Sequence, residues 1–206
     1  MATMGLRKPY YAIYHYDEAT GAVSYADGGL LAKAVEFSSA IETAEDSNLY
    51  ADDGIAESDR SFGSGTISIT TDDLTTEASA AILGITPREI TIGNSAEKVK
   101  ELVYDEDVET PYLGFGVIIP KKRNGVACYR AVVFPRVMFN VPEDAATTKG
   151  ESVEWQTPTI EGTVLRSEEE KRPWKREVTV DTEAMAVAYL KKCLQIPDAP
   201  AGGENV

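Results

Sequence analysis

Apolar and polar residues alternate along most of this chain, and a helical period surfaces in only two places. Pro9 to Tyr16, PYYAIYHY, is aromatic and predicts a first strand, with DEATG at 17–21 as its turn. Val23, Tyr25 and Leu30-Leu31 predict a second β region, broken at Asp27-Gly28-Gly29. Lys33 to Thr43 alternates in part: Val35, Phe37 and Ile41 share one face, with Ser39 as the exception. Ser64 to Thr71 alternates cleanly and puts Ile67 and Ile69 together.

A short helix is predicted from Leu74 to Leu83, capped by Asp73, with Leu74, Ala78, Ala81 and Ile82 as its apolar stripe. Gly84 offers a left-handed C-cap and Pro87 blocks continuation. Glu89–Ile92 and Lys98–Tyr104 predict further strands. The clearest hairpin joins Tyr112–Ile119 to Val126–Phe134 through Asn124-Gly125, two residues for which positive φ is cheap. Lys121, Lys122 and Arg123 give it a basic tip.

Arg136–Val141 predicts a short strand, and Ser152–Arg166 a strand region interrupted by Pro158. A second helix is predicted over Thr182–Leu194, capped by Asp181, with Met185, Ala188, Tyr189 and Cys193 on one face. Residues 197–206 are expected to be a disordered tail. The sum is nine to eleven strands and two segregated helices. That predicts a mainly β fold with α, a β-sandwich or β-barrel with two flanking helices, in a single domain over 1–196.

Charge is unevenly placed. Residues 1–120 hold 21 Asp and Glu against 7 Lys and Arg, whereas 121–206 hold 13 of each, so the whole net charge of −14 lies in the first part. Residues 42–59 carry seven acids and no Lys or Arg, with Leu49, Tyr50 and Ile55 among them. Such a loop either docks on a neighbour or anchors on its own domain. An acidic surface repels phosphate, which argues against a protein that grips nucleic acid. No apolar run approaches the ~18 residues of a membrane helix, and the start MATMGLRKPYY has no apolar leader stretch. A soluble protein assembled in the cytoplasm is expected.

Catalytic patterns are absent. His15 is the single histidine, in an aromatic strand, and reads as structural. Gly63-Ser64-Gly65 is not a nucleophile elbow, and no phosphate loop or dinucleotide fingerprint occurs. Asp105 to Glu109 lacks the glycine of a calcium loop. Cys128 and Cys193 are expected to be reduced, buried thiols. No catalytic residue, metal site or cofactor is expected.

Four segments, in order, resemble the major tail (tail tube) proteins of long-tailed bacteriophages with non-contractile tails. They are GLRKPYYA (5–12), LYADDGIAESD (49–59), FGSGTISITTDDL (62–74) with the helix after it, and QTPTIEGTV (156–164) followed by the last helix. The hairpin region 112–135 is also similar. The likeness spans roughly 5–195, and its second and third segments are the most specific. It implies a β-sandwich subunit of the phage tail tube type, closing into a ring, typically a hexamer, whose rings stack into a tube. The partners implied are further copies of the chain, the tape-measure protein and the tail terminator and distal tail proteins. DNA is implied only in transit through an acidic lumen, and the location implied is the virion. An N-terminal arm, 1–12, and a long acidic loop, 43–62, are implied to touch adjacent subunits or rings. Tyr10, Tyr11, Leu49, Tyr50, Asp52, Asp53, Ile55, Glu57 and Phe62 are the candidate contact residues. Two alternatives stay open: a single-ring, terminator-like component, and a surface carbohydrate-binding β-sandwich using Trp155 or Trp174.

Overall fold

The computed structural model describes residues 2–43, 47–51, 54–59, 61–93, 98–142, 148 and 157–198, with strand backbone alone within 47–59. The chain begins with β1 (Ala2–Thr3), β2 (Arg7–Asp17), β3 (Ala22–Leu30) and β4 (Ala34–Thr43). β5 (Ser47–Ala51), β6 (Gly54–Asp59) and β7 (Phe62–Thr71) lead into α1 (Thr76–Leu83). β8 (Arg88–Thr91), β9 (Lys98–Glu101), β10 (Leu113–Arg123) and β11 (Val126–Phe139) follow. β12 (Thr159–Leu165), β13 (Arg176–Val180) and α2 (Glu183–Cys193) complete it. The fold is mainly β with two helices, as the alternation predicts.

Nine strands form one antiparallel sheet with the path β3-β2-β10-β11-β12-β7-β4, with β1 beside β10 and β13 beside β11. Asn124 and Gly125 both have positive φ, 48° and 85°, so the central hairpin turns as its sequence predicts. β11 is long enough to pair twice on one side: Tyr129–Val133 face β13, and Arg136–Phe139 face β12. The predicted strand at Arg136 is therefore its second half. β13 was not foreseen, because two of the five residues in REVTV are charged.

The sheet curls. β4 lies four steps from β10 along the sheet, roughly 19 Å if flat. Yet the Phe37 ring of β4 sits 6.2 Å from both Phe115 of β10 and Phe134 of β11. The enclosed core holds Ile67, Ile69, Phe115, Phe134, Phe139 and Ile160, and α1 adds Ala78, Ile82 and Leu83. The opposite face carries Tyr14, Tyr25, Ile118 and Val133 and is covered by α2. Gly114 and Gly116 face that helix. A Cβ on Gly114 would stand 2.5 Å from Leu194, and one on Gly116 2.9 Å from Leu190.

Several expected details differ. α1 is capped by Thr75, whose hydroxyl accepts from the Ala78 amide, while the Asp73 carboxylate accepts from Leu74 instead. Gly84 is the left-handed C-cap, at φ 73°. α2 is capped by Thr182, and its buried stripe is Ala186, Leu190 and Leu194, a step away from the predicted face; Met185 points outward at 54% exposure. Leu194, the C-cap residue just past the helix, extends that stripe. A register shift between Ala34 and Glu36 turns Val35 to solvent while Phe37 and Ile41 pack inward. A second bulge, at Asp27 with φ 49°, lets β3 run through the Gly-Gly site that predicted a break. Cys128 is buried and Cys193 part-buried, both free thiols, and His15 is exposed.

Candidate assembly surface

The 43–62 segment, expected as a loop, contains a two-stranded antiparallel ribbon. β5 and β6 pair from Ser47↔Asp59 to Ala51↔Gly54, with Leu49 opposite Glu57 and Tyr50 opposite Ile55. Asp52 and Asp53 lie outside the described residues. β5 follows β4 and β6 precedes β7, so the ribbon grows from the edge pair of the main sheet.

The other candidates sit differently. Tyr11 is a core residue of its own subunit at 9% exposure, and its hydroxyl pKa is raised by burial and then by Asp27. It is therefore not free for a neighbour. Tyr10, half-buried, packs against the cluster under α2. In PYYAIYHY either parity is aromatic, so the sequence does not say which tyrosine faces inward.

The N-terminal arm is also not free. Ala2 and Thr3 pair with Lys122 and Lys121, and the Met4 amide donates to the Pro120 carbonyl at 2.8 Å. Arg7 and Lys8 clamp to Glu183 of α2 at 2.6 and 3.0 Å. Phe62 is half-buried and stacks on Trp174, which occupies one face of the indole that a sugar would need. Trp155, the other aromatic of the sugar-binding alternative, lies outside the described residues.

The two ends of the main sheet are not equivalent. At the β3 end, the Tyr25 amide donates to the Gln195 side chain at 3.0 Å, and Ile196 lies against Gly28. The turn after α2 thus closes that edge. At the β4 end, no strand is hydrogen-bonded to the outer edge among the described residues, although β2 comes into contact with β4. β4 is ten residues long, and its sequence AVEFSSAIET contains no Lys, Arg or Pro. Lys and Pro are two of the devices that blunt an exposed edge; β4 carries others instead, the charges of Glu36 and Glu42 and register shifts at Ala34/Glu36 and Glu42/Thr43. No signal in the sequence separates this edge from the closed one.

Among the described residues no group of three His, Cys, Asp or Glu is placed to hold a metal ion. None of their helices is long and apolar enough to cross a membrane. A shallow cavity of about 340 Å³ beside Gly84, Arg88, Asp105 and Asp107 has no thiol, hydroxyl–imidazole pair or lysine in its lining. No protein-family model and no curated protein matches the chain.

Proposed function

We propose that this chain is a self-assembling tail-tube subunit of a long-tailed bacteriophage. Copies close into a ring, typically a hexamer, and rings stack into the tube through which DNA passes on ejection. On this reading the curled sheet is of the tail-tube type and the chain is structural rather than enzymatic. Its partners are further copies, the tape-measure protein and the proteins that end the tube.

The observation that carries the reading is the open β4 edge running directly into an acidic ribbon. A ten-residue edge strand with no hydrogen-bonded partner on its outer side is a hazard in a protein meant to stay alone, and an asset in one that pairs with copies of itself. A head-to-tail contact between unlike surfaces gives rings where rotation closes and open filaments where it does not. The resemblance in LYADDGIAESD and FGSGTISITTDDL falls on the ribbon and on β7, the strand next to the β4 edge. The net charge of −14 keeps free subunits apart and weakens phosphate contact with any lumen they form.

Sedimentation velocity across concentration and salt tests this. The expected result is a species several times the 22.3 kDa chain mass that grows with concentration and with salt, as screening relieves repulsion. A 22.3 kDa monomer under every condition would contradict it.

A further inference from the structure

A cleft of about 270 Å³ opens where β7 begins, and Arg136, Arg166 and Arg172 line it together with Phe62, Ser64 and Thr163. Three guanidinium groups meet there in a chain whose net charge is −14. Two of them are held in place. Arg136 bonds Glu168 at 2.8 Å and lies 4.0 Å over the Tyr112 ring. Arg166 donates to the Phe62 carbonyl and lies 5.6 Å over the Phe62 ring. The third, Arg172, is 60% exposed and stands 3.8 Å from Glu168.

The connector that carries Arg172 is pinned to the sheet. The Ser167 amide donates to the Pro173 carbonyl at 3.0 Å and closes the segment at its base. Ser167 is buried, and the Glu168 amide donates to the Tyr14 hydroxyl at 2.9 Å. Within the segment, Lys171 and Arg172 both have left-handed backbone, at φ 68° and 46°. That conformation is unfavourable for long side chains, and glycine adopts it freely. The sequence keeps a lysine and an arginine there. Backbone strain of this kind collects at ligand sites, where a side chain must be presented in one direction.

Each guanidinium carries five N–H donors in a planar fork that matches carboxylate and phosphate oxygens. Among the described residues, the three side chains share one carboxylate, Glu168, and one carbonyl, that of Phe62. At the rim, Ser64 donates to Glu42 at 3.1 Å, which brings in a second carboxylate. Three positive charges against these two leave the cleft net positive. We infer that this cleft binds a small oxyanion, phosphate or carboxylate, with Arg172 as its main donor. Arg136 and Arg166 are already oriented by their own partners, so little freedom is lost when they engage. A nucleic acid would need an extended basic track in place of one small cleft on an acidic protein. The inference stands independently of self-assembly.

Isothermal titration calorimetry on the full chain tests it, with inorganic phosphate and glutarate as probes at matched ionic strength. Both arms compare wild type with Arg172→Gln, Arg172→Gly and Lys192→Gln, the last at an exposed lysine of α2 that does not line the cleft. Wild type and Lys192→Gln should bind with saturation, and Arg172→Gln about tenfold more weakly, the effect of losing one charged hydrogen bond. The probe held more tightly names the source: phosphate a free phosphate or phosphoryl group, glutarate an acidic side chain. Arg172→Gly removes the side chain and the left-handed strain together. It should bind as weakly as Arg172→Gln and keep a urea midpoint at or above that of wild type. Absence of saturable binding to wild type with either probe would overturn the site. Equal weakening in Lys192→Gln would reduce the effect to general charge and overturn it too. A lowered urea midpoint in Arg172→Gly would assign Arg172 to holding the fold and overturn its role as donor.

Discussion

Phe62 and Trp174 stack face to face, with ring centroids 4.9 Å apart and planes 16° from parallel. Phe62 opens β7, at the foot of the acidic ribbon, and Trp174 belongs to the charged connector before β13. The pair fastens the ribbon's base to the body of the subunit, and Trp174 also packs on the main core. Trp174→Ala removes the stack and part of that packing. The expected cost is about 2 kcal/mol, read as a lowered urea midpoint with an unchanged slope.

The fit of α2 depends on the absence of a side chain at Gly114. A methyl group there would meet Leu194 and Tyr25, each at 2.5 Å, on a face already filled. Gly114→Ala should cost about 2 kcal/mol and speed hydrogen exchange in α2 more than in α1. Equal protection of both helices would show that α2 does not seat against this strand as described.

Tyr25 is buried against Tyr14, and its hydroxyl donates to the Pro135 carbonyl at 3.0 Å. Burial chiefly, with Glu169 adding to it, pushes its pKa above the ordinary 10.0. Above pH 10 the unfolded chain therefore ionises this group while the folded chain holds the proton, so stability falls as pH rises. Tyr25→Phe should cost about 1 kcal/mol at neutral pH and flatten the alkaline loss, measured by urea titrations at pH 8 to 11.

Glu183 ties the start of β2 to α2. Its pKa is lowered from 4.5 by Lys8 and also by Arg7. A lowered value gives stability that is present above pH 4.5 and lost as pH falls through the folded value. Glu183→Gln should therefore match wild type in strong acid and be less stable near neutrality. Stability curves that stay parallel from pH 7 to pH 2 would contradict the clamp.

Much of the fold is legible in the sequence where chemistry leaves one choice. Asn124-Gly125 names its own turn, Ile67 and Ile69 name their own face, and Gly84 names the end of α1. Legibility fails where two readings are locally equal. Asp73 and Thr75 both make good caps, and only the observed backbone favours Thr75. Tyr10 and Tyr11 are equally aromatic, and sheet parity alone puts Tyr11 in the core. The bulge beside Val35 and the Leu194 anchor of α2 arise from tertiary packing that no local pattern encodes. The open β4 edge was also hidden, since which strand lies outermost depends on the whole sheet order. The arginine cleft brings together positions more than a hundred residues apart, from Phe62 to Arg172.

Negative-stain microscopy of the purified chain, over a range of concentration and salt, tests the self-assembly account most directly. The account predicts hollow rings that stack into tubes with a regular axial repeat. Isolated compact particles at every concentration and salt, with no ring among them, would contradict it.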